Sequence, residues 1–196
     1  MKHPELFVVP ALMLTDYFLT LVGVKQRGKK YGEHFASEHY EMNPIWQKPV
    51  AQKKWFNPKH ILLTTIATLL LVLVVEPSDM PEPLAQGVLG GFLVFFSSLI
   101  GRHLCNLLTF RHINRKPNEI SGQVTMTHTL VLSLSLYQYI VVLIPMALVA
   151  AFSPTPFVIG GLFGVVLLLM AHLMWIRRHN RRTKSLDKAE AGEDIG

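Results

Sequence analysis

Apolar residues run almost unbroken through five stretches of this chain, roughly 6–24, 58–75, 84–104, 124–152 and 157–176, with polar connections between them, the longest over 25–57. Each is about the ~20 residues needed to cross the ~30 Å hydrocarbon core of a bilayer. The pattern predicts an all-α protein, an integral membrane five-helix bundle. One transmembrane domain is expected over residues 1–183, with a short cytoplasmic or interfacial helix between spans one and two. The composition of residues 184–196, KSLDKAEAGEDIG, predicts a disordered cytoplasmic tail. The first apolar run exceeds the about 7–15 residues of a signal-peptide core and precedes no small-x-small cleavage site, so it is expected to be retained as a span.

Charge gives these spans a direction. Lys25, Arg27, Lys29 and Lys30 follow the first stretch, and Lys48, Lys53, Lys54 and Lys59 precede the second. The next connection holds Glu76, Asp79 and Glu82 without a base. Arg111, Arg115 and Lys116 follow the third stretch, SPTP joins the fourth to the fifth, and Arg177, Arg178, Arg181 and Arg182 open the tail. Under the positive-inside rule this alternation predicts an N-terminus outside and a C-terminus in the cytoplasm. The net charge of +6 therefore reads as topology, and no nucleic-acid partner is expected, because no basic stripe with interleaved aromatics lies on a soluble surface. The expected partners are the lipid bilayer and, at a helix seam, a second copy of the chain or another membrane protein.

Backbone signals agree with the spans. Asn57-Pro58 is an N-cap followed by proline at the first helical position. Pro81, Pro83, Pro154 and Pro156 make tight turns, and Pro145 should kink the fourth span. Gly160 and Gly164, and Ser97 and Gly101, permit close helix approach. The single cysteine, Cys105, excludes an intrachain disulfide and reads as a packing residue.

Polar residues inside spans are costly and mark candidate chemistry. Asp16 is the only acid deep in a span, and counting along the helix places it near the midplane. The fourth span offers Ser135, Tyr137, Gln138 and Tyr139 as partners, and Gln138 or a neighbouring tyrosine is the expected one. Asp16 reads either as a structural clamp or as a proton- or cation-binding group. At the cytoplasmic end, His60, Arg102, His103, Asn106, His128 and His172 come from four different spans. Ahead of the second span, a helix over Glu33 to Met42 would place His34, Glu38 and Glu41 on one face. His and carboxylate at one-turn spacing can bind a divalent metal, with His34, Glu38, His103 and His128 as the candidate ligands. An amphipathic surface helix explains the same pattern without a ligand.

Several function classes leave no trace. There is no G-x-S-x-G, no P-loop and no strand-borne G-x-G-x-x-G. The zinc-protease patterns are absent as well.

The runs TDYFLT (Thr15 to Thr20), EHYEMNPIWQK (Glu38 to Lys48) and WFNPKH (Trp55 to His60) resemble an uncharacterised family of small prokaryotic polytopic membrane proteins with an Asp-containing first span and an E-x-N-P segment. The resemblance covers about the first third of the chain. It implies a compact helical bundle in a prokaryotic cytoplasmic membrane, with no assigned activity, and points to Asp16, Thr20, Glu41, Asn43 and Pro44.

Three functional expectations follow. The first is binding or conduction of a small ion or solute through a cytoplasm-facing pocket of Asp16, Glu38, Glu41, Arg102, His103, Asn106, His128 and Gln138. The second is a membrane-embedded metal-dependent, hydrolase-like enzyme acting on a lipid or membrane-held substrate, with Glu41 as candidate general base. The third is a non-catalytic membrane assembly subunit.

Overall fold

The computed structural model describes residues 2–36, 47–77 and 79–193. A 3-10 turn, Pro4–Phe7, leads into α1 (Val8–Arg27), which stops at Gly28. One helical turn, α2 (Lys30–His34), is followed by an extended pair, β1 (Phe35–Ala36). After α3 (Gln47–Ala51), α4 (Pro58–Val75) starts as its sequence dictates: Pro58 takes the first turn and the Asn57 side chain accepts the His60 N–H at 3.4 Å. Then come α5 (Glu82–Arg115), β2 (Val124–Thr125), α6 (His128–Phe152) and α7 (Pro156–Glu193). Thr127 caps α6 by accepting the Leu130 N–H at 3.3 Å. Five of these helices are long and apolar enough to cross a membrane, in agreement with the five apolar stretches.

Four boundaries differ from the sequence reading. The fourth span starts at His128 because β-branched Val124 and Thr125 pair in parallel with Phe35 and Ala36 instead of joining the helix. That pairing also ends α2 at His34, so the helix expected over Glu33 to Met42 is interrupted, and Glu38 and Glu41 lie outside the described residues. The third span is longer than 84–104: α5 runs to Arg115, where nothing in RHLCNLLTFRHINR breaks a helix before Lys116-Pro117. The backbone of α7 stays helical to Glu193, through most of the segment expected to be disordered.

The helices form a row with α5 at its centre. It packs on α7 along one side and on α1 along the other; α4 leans on α1, and α6 on α7. The α5–α7 seam explains its glycines. A Cβ on Gly160 would strike the Gly87 carbonyl, one on Gly164 the Gly91 carbonyl, and one on Gly90 the Phe157 carbonyl. Two GxxxG faces, Gly87/Gly91 and Gly160/Gly164, thus meet in parallel register, so backbones touch where side chains would hold them apart. The Ser97/Gly101 pair has no such role, since a Cβ on Gly101 would meet open space. Cys105 is exposed, not packed.

At the acid-rich end, the chain start is clasped to the α4–α5 connection. The Lys2 and His3 N–H groups both donate to the Glu76 carboxylate at 3.0 Å. Those two donors hold Glu76 below the usual carboxylate pKa. Buried His3 also reaches Glu5 at 3.1 Å and Glu82 at 3.5 Å. The clasp starts α1 and α5 at the same end, above a core of Leu6, Val9, Leu71, Val75, Ala85 and Leu89. At the basic end Asn114 donates to the Gln26 carbonyl at 2.8 Å and accepts the Tyr31 N–H at 2.9 Å. Tyr31 packs on Phe110 and Phe35, and this burial pushes its hydroxyl pKa up.

Candidate functional site: a polar layer at the basic end

Four helices contribute to one buried layer. Asp16 and Thr20, one turn apart, come from α1; Arg102 and His103 from α5; Ser135 and Tyr139 from α6; His172 from α7. The layer lies about 30 Å along α5 from Glu82, at a helical rise of ~1.5 Å per residue. Tyr17, next to Asp16, stacks on His60 in the first turn of α4, with ring centroids 4.5 Å apart. Asp16 therefore sits level with the start of α4, at the basic end of the apolar layer rather than at its midplane. Counting from the start of α1 misplaced it because α1 and α5 are offset along their common direction.

Toward α6 and α7, the donor and acceptor roles around His172 agree with one another. His172 Nδ1–H donates to the Leu168 carbonyl at 2.9 Å, which leaves Nε2 as an acceptor. The Ser135 hydroxyl donates to that Nε2 at 3.2 Å and accepts the Arg102 Nη1–H at 2.9 Å. The Tyr139 ring packs edge-on against His172 and lies 5.8 Å from the Arg102 guanidinium. Trp175 closes the far side of His172.

Toward α1 the demands conflict. His103 Nε2 lies 3.1 Å from Arg102 Nη2, 3.2 Å from Asp16 Oδ1 and 3.3 Å from Thr20 Oγ1. Thr20 spends its proton on the Asp16 carbonyl at 2.9 Å, so toward His103 it can only accept. Thr20 requires a proton on Nε2, and the Asp16 carboxylate, close to it but without a hydrogen bond, favours one by its charge; Arg102, with N–H to give, requires a lone pair there. One nitrogen cannot supply both. His103 is buried, its Nδ1 makes no hydrogen bond among the described residues, and Asp16 keeps 23% of its side chain exposed.

Of the sequence-derived candidates, the fold brings together Asp16, Arg102 and His103. Gln138 is exposed on α6, and Asp16 takes His103 as its partner instead; Ser135, one turn earlier, is the α6 residue that turns inward. Asn106 is half-buried three residues beyond His103. His128 packs against His179, with centroids 4.8 Å apart, at the start of α6. His34 donates through Nδ1 to the Gly122 carbonyl at 2.9 Å. Among the described residues no three His, Cys, Asp or Glu side chains come together to hold a metal ion, so His34, His103 and His128 do not form a common ligand set. Ser135 and His172 belong to the layer but were not among the pocket candidates. Their signal was present, since each is polar and about as deep in its span as Arg102 in α5, yet no depth count can tell which face turns inward. Comparison with protein-family models, with characterised proteins and with solved structures returns no match to this chain.

Proposed function

We propose that the protein binds or conducts a small ion or solute at its cytoplasmic, basic end, with Asp16, His103 and Arg102 as a proton-responsive centre. The observation that supports this reading is the single nitrogen of His103 claimed by an acid and a base at once. With Nε2 protonated, Asp16 and Thr20 are served, and the Arg102 Nη2 arm must turn away and offer itself to another acceptor. With Nε2 bare, Arg102 donates to it, and Asp16 loses that donor and is open to a cation. A buried site with two such states links proton occupancy to the binding of charge. Purely structural clusters in membranes resemble the His172 side instead, where both ring nitrogens and the Ser135 hydroxyl have partners of compatible role. The basic connections support a cytoplasmic position for this end, and the resemblance of the first third of the chain implies a prokaryotic inner membrane.

The test is flux in proteoliposomes under an imposed potential, with internal pH and a panel of small monovalent and divalent ions as readouts. Wild-type protein is expected to carry at least one species above empty vesicles, with loss of most of that flux in Asp16→Asn and Arg102→Gln and retention in Gly101→Ala. Flux no greater than in empty vesicles, or unchanged in Asp16→Asn, would overturn the reading. The metal-dependent enzyme and assembly-subunit readings gain no observation here. The Gly160/Gly164 face that a partner would use is already occupied by Gly87 and Gly91.

A further inference from the structure

A second site lies on the other side of α1. A groove of about 540 Å³ runs between α1 and α4, lined by Leu14, Tyr17, Asn57, His60, Thr64 and Thr68. Its walls toward the surrounding medium are the exposed apolar side chains of Phe18, Trp55, Ile61 and Leu69. Two polar groups lining it have no hydrogen-bond partner among the described residues. Asn57 is 5% exposed; its oxygen is committed to capping α4, which fixes the amide orientation and leaves Nδ2–H₂ as a buried donor with no partner among the described residues. Thr64, also 5% exposed, has a hydroxyl with no hydrogen-bond partner among the described residues, two turns deeper on the same face. Burying such groups unsatisfied is costly, so the groove is incomplete as it stands.

The mouth is built by the turn before α4. Lys53 adopts a positive φ of 52°, a conformation that non-glycine residues rarely take. Tyr17 holds the turn by donating its hydroxyl to the Lys54 carbonyl at 2.7 Å, and Trp55 lies against Phe18. This leaves Lys53, Lys54 and Lys59 exposed around the polar end. Cationic rim, buried donors below it and an apolar channel beneath follow the order of an anionic glycerophospholipid: phosphate, ester carbonyls, acyl chain. We infer that this groove holds one anionic phospholipid of the basic-side leaflet. Its phosphate would meet the lysines, its ester oxygens Asn57 Nδ2 and the Thr64 hydroxyl, and one chain would lie along Leu14, Ile61 and Leu69.

The test is native mass spectrometry of the full-length protein in detergent, titrated with phosphatidylglycerol or phosphatidylcholine of identical chains. Wild type should retain one phosphatidylglycerol at several-fold lower lipid concentration than phosphatidylcholine. Thr64→Val and Asn57→Asp, which keeps the cap oxygen but removes the donor, should each weaken retention severalfold. Lys53→Ala/Lys54→Ala/Lys59→Ala together should abolish the preference for the anionic headgroup. Circular dichroism confirms that each variant stays helical, and Thr64→Val, far from the turn, serves if the Asn57 variant does not fold. Equal retention of the two lipids by wild type, or no change in Thr64→Val together with the triple lysine variant, would overturn the inference. These outcomes are independent of flux through the Asp16 centre.

Discussion

His103 and His172 are both buried, both lie beside Arg102, and live in opposite circumstances. His172 has each ring nitrogen assigned by a partner of fixed role, one donating to the Leu168 carbonyl and one accepting from Ser135. His103 presents one nitrogen to three neighbours that disagree about its proton. A saturated histidine fixes a structure, whereas a contested one stores two arrangements of nearly the same geometry. His172 rides on α7, locked to α5 by glycine contacts, while Asp16 rides on α1, which packs on the other side of α5.

Breaking the seam should have the largest effect. Gly160→Leu drives a side chain into the Gly87 carbonyl, and at a cost of about 3 kcal/mol or more the variant should fail to purify as a monodisperse species. Gly101→Ala, a similar change into open space, should leave the melting temperature in detergent unchanged or slightly raised. Equal tolerance of both would mean that the α5–α7 packing is not as described.

Next come the saturated contacts. Ser135→Ala removes the link between Arg102 and His172 and should lower stability by about 0.6–1.7 kcal/mol, the range for polar contacts between membrane helices. Steric trapping or reversible unfolding in mixed micelles would measure it. Thr20→Val should cost less, because Thr20 is one of two acceptors competing for the same proton. A larger loss in Thr20→Val than in Ser135→Ala would reverse the comparison.

The smallest expected effect lies at the far end. Glu76 has a depressed pKa in the folded chain, so its clasp on Lys2 and His3 is fully present above the unfolded carboxylate value. It is lost only as pH falls through the lower, folded one. Protection of the amides of residues 2–7, measured against their intrinsic exchange rate at each pH, should therefore fall in acid and, in Glu76→Gln, already be lower at neutral pH, with the polar layer unaffected.

Much of this was legible in the residues. The five spans, the Asn57-Pro58 start and the packing role of Gly160 and Gly164 follow from local pattern, which the bilayer makes strict. Asp16 stood out because an acid in a long apolar run has few explanations. Its partner did not. Depth counting assumed that α1 begins level with its neighbours, and it gave no rotation for α6, so Gln138 and Ser135 looked equivalent. Gly87 and Gly91 repeat the spacing of the motif they pack against, but Gly90 beside them blurs that spacing in the sequence. Phe35 and Ala36 leave helical form for a contact with Val124 and Thr125 almost ninety positions away, which no local signal announces.

The central claim is that proton occupancy at His103, and not at His172, is set by the neighbouring acid and base. Nitrogen-15 NMR of labelled histidines in lipid bilayers across a pH series tests it most directly, with signals assigned through His103→Gln and His172→Leu. The account predicts that His172 keeps one protonated and one bare nitrogen throughout. His103 Nε2 should change between its two forms, and Asp16→Asn should hold it in one of them. Identical behaviour of the two histidines, or a His103 signal indifferent to Asp16→Asn, would contradict it.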